Sequence, residues 1–231
     1  MRRPKSACVT MYVSSLLLLL LGLCASISWA REILPVGEKA AVDAKGRAIY
    51  QTSANGIRIG YKLIGSGEPL LLLTGLGATM EDWTPEFIEE AAKTHQLILM
   101  DNRGMGYSTD DGQPFDYDLF ARDVVALLDA LGVSQTDVLG YSQSSVTTQN
   151  LLLSFPGRIN KAVIHATSTD GKAVAAMLKR IRLPDNPTIR KQLQAAMGWK
   201  TPLEKMKQVK NQVMLLRSEE HTSELQSHHD L

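Results

Sequence analysis

The stretch Val138–Asn150, VLGYSQSSVTTQN, constrains this chain more than any other. An apolar strand end runs into Gly140, then into Ser142 flanked by small residues, then into a segment able to open a helix. A serine hydroxyl is a poor nucleophile at neutral pH unless a base can reach it and a forming oxyanion can be stabilised. A sharp strand-to-helix turn holds the hydroxyl out for both purposes. Gly140 and Ser144, two before and two after Ser142, are small enough for the backbone to turn that tightly. Many ordinary loops match such a string; the strand before it and the helix after it are the context that gives it weight.

That context requires strands and helices to alternate along the chain, and they do. After a polar lead-in, β-like stretches appear at 57–65 (IRIGYKLIG) and 69–75 (PLLLLTG), joined by the turn-forming GSGE. A helix is expected at 85–93, then a buried strand at 96–101 (QLILMD), then a polar, Gly-rich loop. Over 116–133, Leu119, Val124, Leu127, Leu128 and Leu131 share one helical face, and Gly132 closes the helix. A strand at 136–139 leads to the Ser142 turn, a helix at 145–154 stops at Pro156, and another apolar strand occupies 161–166. Such alternation predicts an α/β fold: a mostly parallel sheet with helices on both faces. Val174, Met177, Leu178 and Ile181, and then Ile189, Leu193 and Ala196, fall at helical spacing and predict a small helical cap at about 170–205. Residues 211–216 (NQVMLL) read as the start of one more strand.

At 231 residues and 44% hydrophobic, the chain has material for one sizeable core. A formal net charge of +1, with no basic run interleaved with aromatics, gives no field that argues for nucleic acid or an acidic partner, and no nucleic-acid partner is expected. The first thirty residues stand apart. Arg2, Arg3 and Lys5 precede a leucine run from Leu16 to Leu21, and Ser28 and Ala30 place small residues before Arg31, the layout of a secretory signal peptide. The apolar run is shorter than the ~20 residues of a spanning helix, so export with cleavage after Ala30 is expected, to the periplasm or the exterior. An uncleaved membrane anchor is the alternative, since Met11 to Val13 lengthen the span; lipidation at Cys24 fits poorly beside the bulky Leu23. Both cysteines, Cys8 and Cys24, fall within this leader, so a mature chain would carry neither disulfide nor thiolate metal site.

Taken together, LLLLTGLG, MDNRGMGYS and GYSQS resemble, respectively, the oxyanion segment, the arginine-glycine loop and the nucleophile elbow of the α/β-hydrolase superfamily, over about 56–216. The resemblance implies that Ser142 is the nucleophile, that the strand ending at Thr74 lies beside the one ending at Leu139, and that the amides of Leu76 and Gln143 form the oxyanion hole. Gly75, Gly77 and Gly140 would support these turns, although Gly75 and Gly77 also suit a plain tight turn. Two positions depart from the family pattern: Thr74 stands where many members carry His, and Ser144 where most carry Gly. GLGATM fails as a dinucleotide fingerprint because Met80 occupies the third glycine position, so no organic cofactor is expected, and no metal. Asp101 and Arg103 invite a catalytic reading, but in the family this loop is architectural, with the Arg bracing it by charge-assisted hydrogen bonds. Tyr107 reads as loop packing.

Family order places an acid after the nucleophile and the base after the last strand. His95 precedes Ser142 and His165 follows too closely, so His165 and Asp170 are weak candidates for base and acid; Asp170 equally suits a capping role. His221, His228 and His229 lie in RSEEHTSELQSHHDL, a tail of metal-binding appearance. Residues 217–227 coincide residue for residue with the in-frame translation of a common sequencing adapter, so 217–231 is expected to be artefactual. The expectation is therefore an exported α/β-hydrolase domain at 31–216, lacking its last strands together with its triad acid and His, and inactive in this form. Its parent would act through an acyl-enzyme on a modestly hydrophobic, ester-like small molecule. Ser at the elbow argues against the dehalogenases and epoxide hydrolases of the fold, which use a carboxylate. Members with these signatures also cleave carbon–carbon bonds, amides and lactones or act as cofactor-free haloperoxidases, and non-catalytic ligand-binding members are the rival class.

Overall fold

The computed structural model describes residues 32–168, 170, 171, 174, 176 and 184–216. The chain divides into the units Met1–Arg31 and Glu32–Leu231. The expected leader, with its cleavage site at Ala30, lies outside the described residues, as do most of the first cap helix and the 217–231 tail with its three histidines.

Eight strands form one sheet: β1 (Glu38–Val42), β2 (Ala48–Ala54), β3 (Ile57–Ile64), β4 (Glu68–Leu73), β5 (His95–Met100), β6 (Thr136–Tyr141), β7 (Ile159–His165) and β8 (Gln212–Leu216). Their order is β1-β2-β3-β5-β4-β6-β7-β8. The first three pairings are antiparallel and the remaining four parallel. β3 and β4, joined by GSGE, are not neighbours, because β5 inserts between them and pairs with both. The lead-in contains β1 and β2, which a polar reading of that stretch does not anticipate; β1 is the edge strand, and the side chains of both are mostly exposed or half-buried.

Alternation along the central strands separates two cores. Leu71, Leu73, Ile98 and Met100 face one side, where Val124, Leu127 and Leu128 of α2 (Tyr117–Ala130) and Leu151 and Leu152 of α3 (Gln143–Ser154) cover them. Leu72, Leu97 and Leu99 face the other, against Ile88 of α1 (Pro85–Ala91). Both faces are covered, which is why β4 and β5 read as continuous apolar runs. Each fully buried aliphatic side chain contributes roughly 1.5–3 kcal/mol.

The helices start where their caps dictate. Asp116 accepts from Leu119 N at 2.6 Å to open α2, and Thr84 accepts from Phe87 N ahead of Pro85 to open α1. Asn186 accepts from Thr188 N at 2.8 Å to open α4 (Pro187–Gly198), which α5 (Leu203–Met206) follows. A third apolar cluster, Phe115, Tyr117, Phe120, Val146 and Ala196, fastens α4 onto α2 and α3. No described helix is long and apolar enough to cross a membrane.

Candidate active site

Ser142 is the N-cap of α3 and sits at φ +53°, ψ −116°, a conformation that non-glycine residues adopt only under tertiary constraint. Its N–H donates to His165 O at 2.9 Å and its carbonyl accepts from Ser145 N at 3.0 Å, so backbone bonds hold the turn from both sides. The side chain makes no capping bond. α3 opens at Gln143, two residues earlier than its sequence pattern predicts, so the turn leads directly into the helix.

Glycine is required where chains meet here. A Cβ on Gly140 would collide with Thr148 Oγ1 and the carbonyl of Ser144. Gly75 passes so close to the elbow that a Cβ there would lie 3.2 Å from Ser142 Cβ and 3.6 Å from Ser142 Oγ. β4 does pair with β6, Leu73 against Gly140, which brings the 75–79 loop over Ser142. Leu76 N–H has no acceptor among the described residues. Gln143 N–H, at the first helical position, lacks an intrahelical acceptor. Leu76 follows Gly75 in the loop that touches Ser142, and Gln143 follows Ser142 in the chain, so both amides belong to segments that meet at the elbow.

Buried polar side chains hold this loop. Asp101, at the end of β5, accepts from Met80 N at 2.7 Å and from Tyr107 N at 2.8 Å, joining the 75–82 loop to the arginine-glycine loop. Burial pushes its carboxyl above the usual range, while those two N–H donors favour the ionised form. Arg103 is fully buried and donates to Asp123 through Nε at 2.9 Å and Nη2 at 2.6 Å, with Asp111 paired to Nη1 at 2.9 Å. Both are architectural contacts. Lys62, buried in β3, pairs with Glu81 at 2.8 Å and Asp43 at 3.1 Å and so ties the loop to the β1–β2 turn. Sequence reasoning did not single out Lys62, and a cation between Tyr61 and Leu63 in the buried part of β3 is the signal that points to it.

Of the base and acid candidates, His165 adjoins Ser142 through its backbone carbonyl. His165 ends β7 with its ring against Tyr141 at 5.1 Å, and no hydrogen bond joins it to the serine hydroxyl. Asp170 forms a β-bridge with Lys200 and accepts from Ser168 Oγ through its carbonyl. His95 begins β5, at the opposite end of that strand from Asp101, beside Thr94. Among the described residues, no group of three or more His, Cys, Asp or Glu is arranged to hold a metal.

The family model for the alpha/beta hydrolase fold matches residues 68–228, and the chain belongs to that family. It is 32% identical over 140 residues to the mouse (Mus musculus) serine hydrolase BPHL, covering 58% of this chain and 48% of the relative. It is 28% identical over 153 residues to 3-oxoadipate enol-lactonase 2 of Acinetobacter baylyi, covering 65% of this chain and 57% of the relative. The chain thus spans about half the length of the curated relatives it matches. The enol-lactonase structure from Burkholderia xenovorans superposes with a TM-score of 0.61 at 18% identity, over 71% of this chain and 79% of that one, which reflects a shared fold.

Proposed function

We propose that this chain carries the nucleophile portion of a serine hydrolase that cleaves a carboxylic ester or related acyl bond. The elbow supports this reading: Ser142 is held in a strained turn, uncapped, with the Gly75 loop against its side chain. In acylation the Ser142 oxygen attacks the carbonyl carbon as its proton passes to a base, the carbonyl oxygen accepts from the Leu76 and Gln143 amides, and the alcohol leaves with a proton. Water then attacks the acyl-enzyme to release the acid and regenerate the hydroxyl. In the family's chain order the acid and the base lie beyond Leu216. The serine hydrolase and enol-lactonase among the relatives support acyl chemistry on a small molecule.

A fluorophosphonate probe tests the reading. It should label Ser142 in the parent protein with its triad in place and leave Ser142→Ala unlabelled; labelling that survives the substitution would sink the assignment. The second reading, a ligand-binding member without turnover, is favoured by one observation: neither described histidine bonds to the serine hydroxyl. It predicts no labelling and no acid–histidine pair downstream of Leu216 in the gene. The leader supports export, and N-terminal sequencing of the secreted protein should begin at Arg31; a membrane-bound chain beginning at Met1 favours the anchor.

A further inference from the structure

The 75–79 loop is touched from above by the cap as well as from below by the elbow. Gly77 sits at φ +72°, and a Cβ on it would lie 3.1 Å from Ile189 Cδ1 on α4. Its N–H donates to Gln192 Oε1, also on α4, at 2.9 Å. Gln192 is wholly buried. That bond fixes which end of the carboxamide is which, because only oxygen can accept from an N–H. The Nε2 group, on the same carbon, therefore lies beside the loop too, and it is buried with no acceptor among the described residues. A buried donor left unpaired costs free energy that a ligand acceptor would recover. The loop that Gln192 touches also carries Leu76, the oxyanion donor of the proposed function. Gln143 Oε1, on the elbow side, is likewise buried and has no donor among the described residues.

We propose that Gln192 is a substrate-recognition residue: Oε1 grips the loop through Gly77, and Nε2 donates to an acceptor oxygen of the substrate other than the scissile carbonyl. This rests on Ser142 marking the site where the acyl group binds. The substrate class is thereby narrowed from a purely aliphatic acyl compound to one bearing an ether, hydroxyl, carbonyl or carboxylate oxygen near the reacting carbon. A site built around a hydrogen bond discriminates against the analogue that lacks it.

Phenyl methoxyacetate and phenyl butyrate, nearly equal in size and differing by one acceptor oxygen, provide the test. Both are titrated by ligand-observed NMR at pH 8 into protein carrying Ser142→Ala, in which bound ester is not turned over. The methoxyacetate-to-butyrate affinity ratio should fall about fivefold when Gln192→Glu or Gln192→Met is added. Gln192→Glu keeps the acceptor for Gly77 and removes the donor, so a residue that only clamped the loop would keep its ratio there. An unchanged ratio in Gln192→Glu, or failure of both esters to bind the parent, overturns the inference. Fluorophosphonate labelling of Ser142 with an unchanged ratio refutes this inference alone; a ratio that falls as expected without labelling refutes the nucleophile reading alone.

Discussion

The side-chain amide of Asn102 donates to Ser144 Oγ at 3.3 Å in a site closed to solvent, and it also reaches Thr74 O at 3.3 Å. One side chain therefore joins the two positions at which the sequence departs from its family's pattern. A glycine at 144 would leave the Asn102 amide with one acceptor fewer. Asn102→Ala and Ser144→Gly should each destabilise by about 1–3 kcal/mol, and together by less than their sum. Urea unfolding of the two single variants and the double variant measures the coupling; strict additivity would show that the contact contributes nothing.

Ser142 is expected to trade stability for its position. Ser142→Gly relaxes the positive φ, whereas Ser142→Ala keeps it, so the glycine variant should be the more stable by about 1 kcal/mol. Thermal unfolding of the pair decides this, and equal midpoints would mean the turn is unstrained.

Asp43 sets an acid limit. Burial alone would raise its carboxyl, but hydrogen bonds from Arg47 and Lys62 outweigh that and hold it well below the usual range. A depressed folded value stabilises above the unfolded value, near pH 4, and that stability is lost as pH falls toward the folded value. Stability of the unsubstituted protein should decline below pH 4, and Asp43→Asn should lower neutral stability while flattening that decline. Parallel acid limbs in the two proteins would refute the assignment.

β8 exposes Val213, Met214, Leu215 and Leu216, with Leu215 at 70% exposure, on a strand at the edge of the sheet. Such an edge templates association. Leu215→Lys should raise the concentration at which the protein stays monodisperse in light scattering without lowering its unfolding midpoint. No gain in solubility would clear this edge of responsibility.

Much of the sheet was legible because burial on both faces writes itself as unbroken apolar runs, as in β4 and β5, and the elbow because its geometry tolerates few residues. β1 and β2 were not legible: β1 is exposed nearly throughout and β2 half-buried nearly throughout, so neither writes a clear two-residue alternation, and their pairing depends on the turn at Asp43 to Arg47. Lys62 looks like a surface residue in sequence and is buried only because Asp43 and Glu81 arrive from distant turns. Gln192 carries no motif, and its contact with Gly77 spans 115 residues. The helix after the elbow starts at Gln143 rather than further on because Ser142 itself supplies the cap position, which a propensity reading of QSS does not reveal.

The Gly77–Gln192 bond also has a place in time. During synthesis Ser142 and the loop above it leave the ribosome before Gln192 does, and strands β1 to β7 are complete while α4 and β8 are still unmade. The loop acquires its final grip only when the cap arrives. Readiness of the site thus becomes a late event in the life of each new molecule, set by how far translation has progressed.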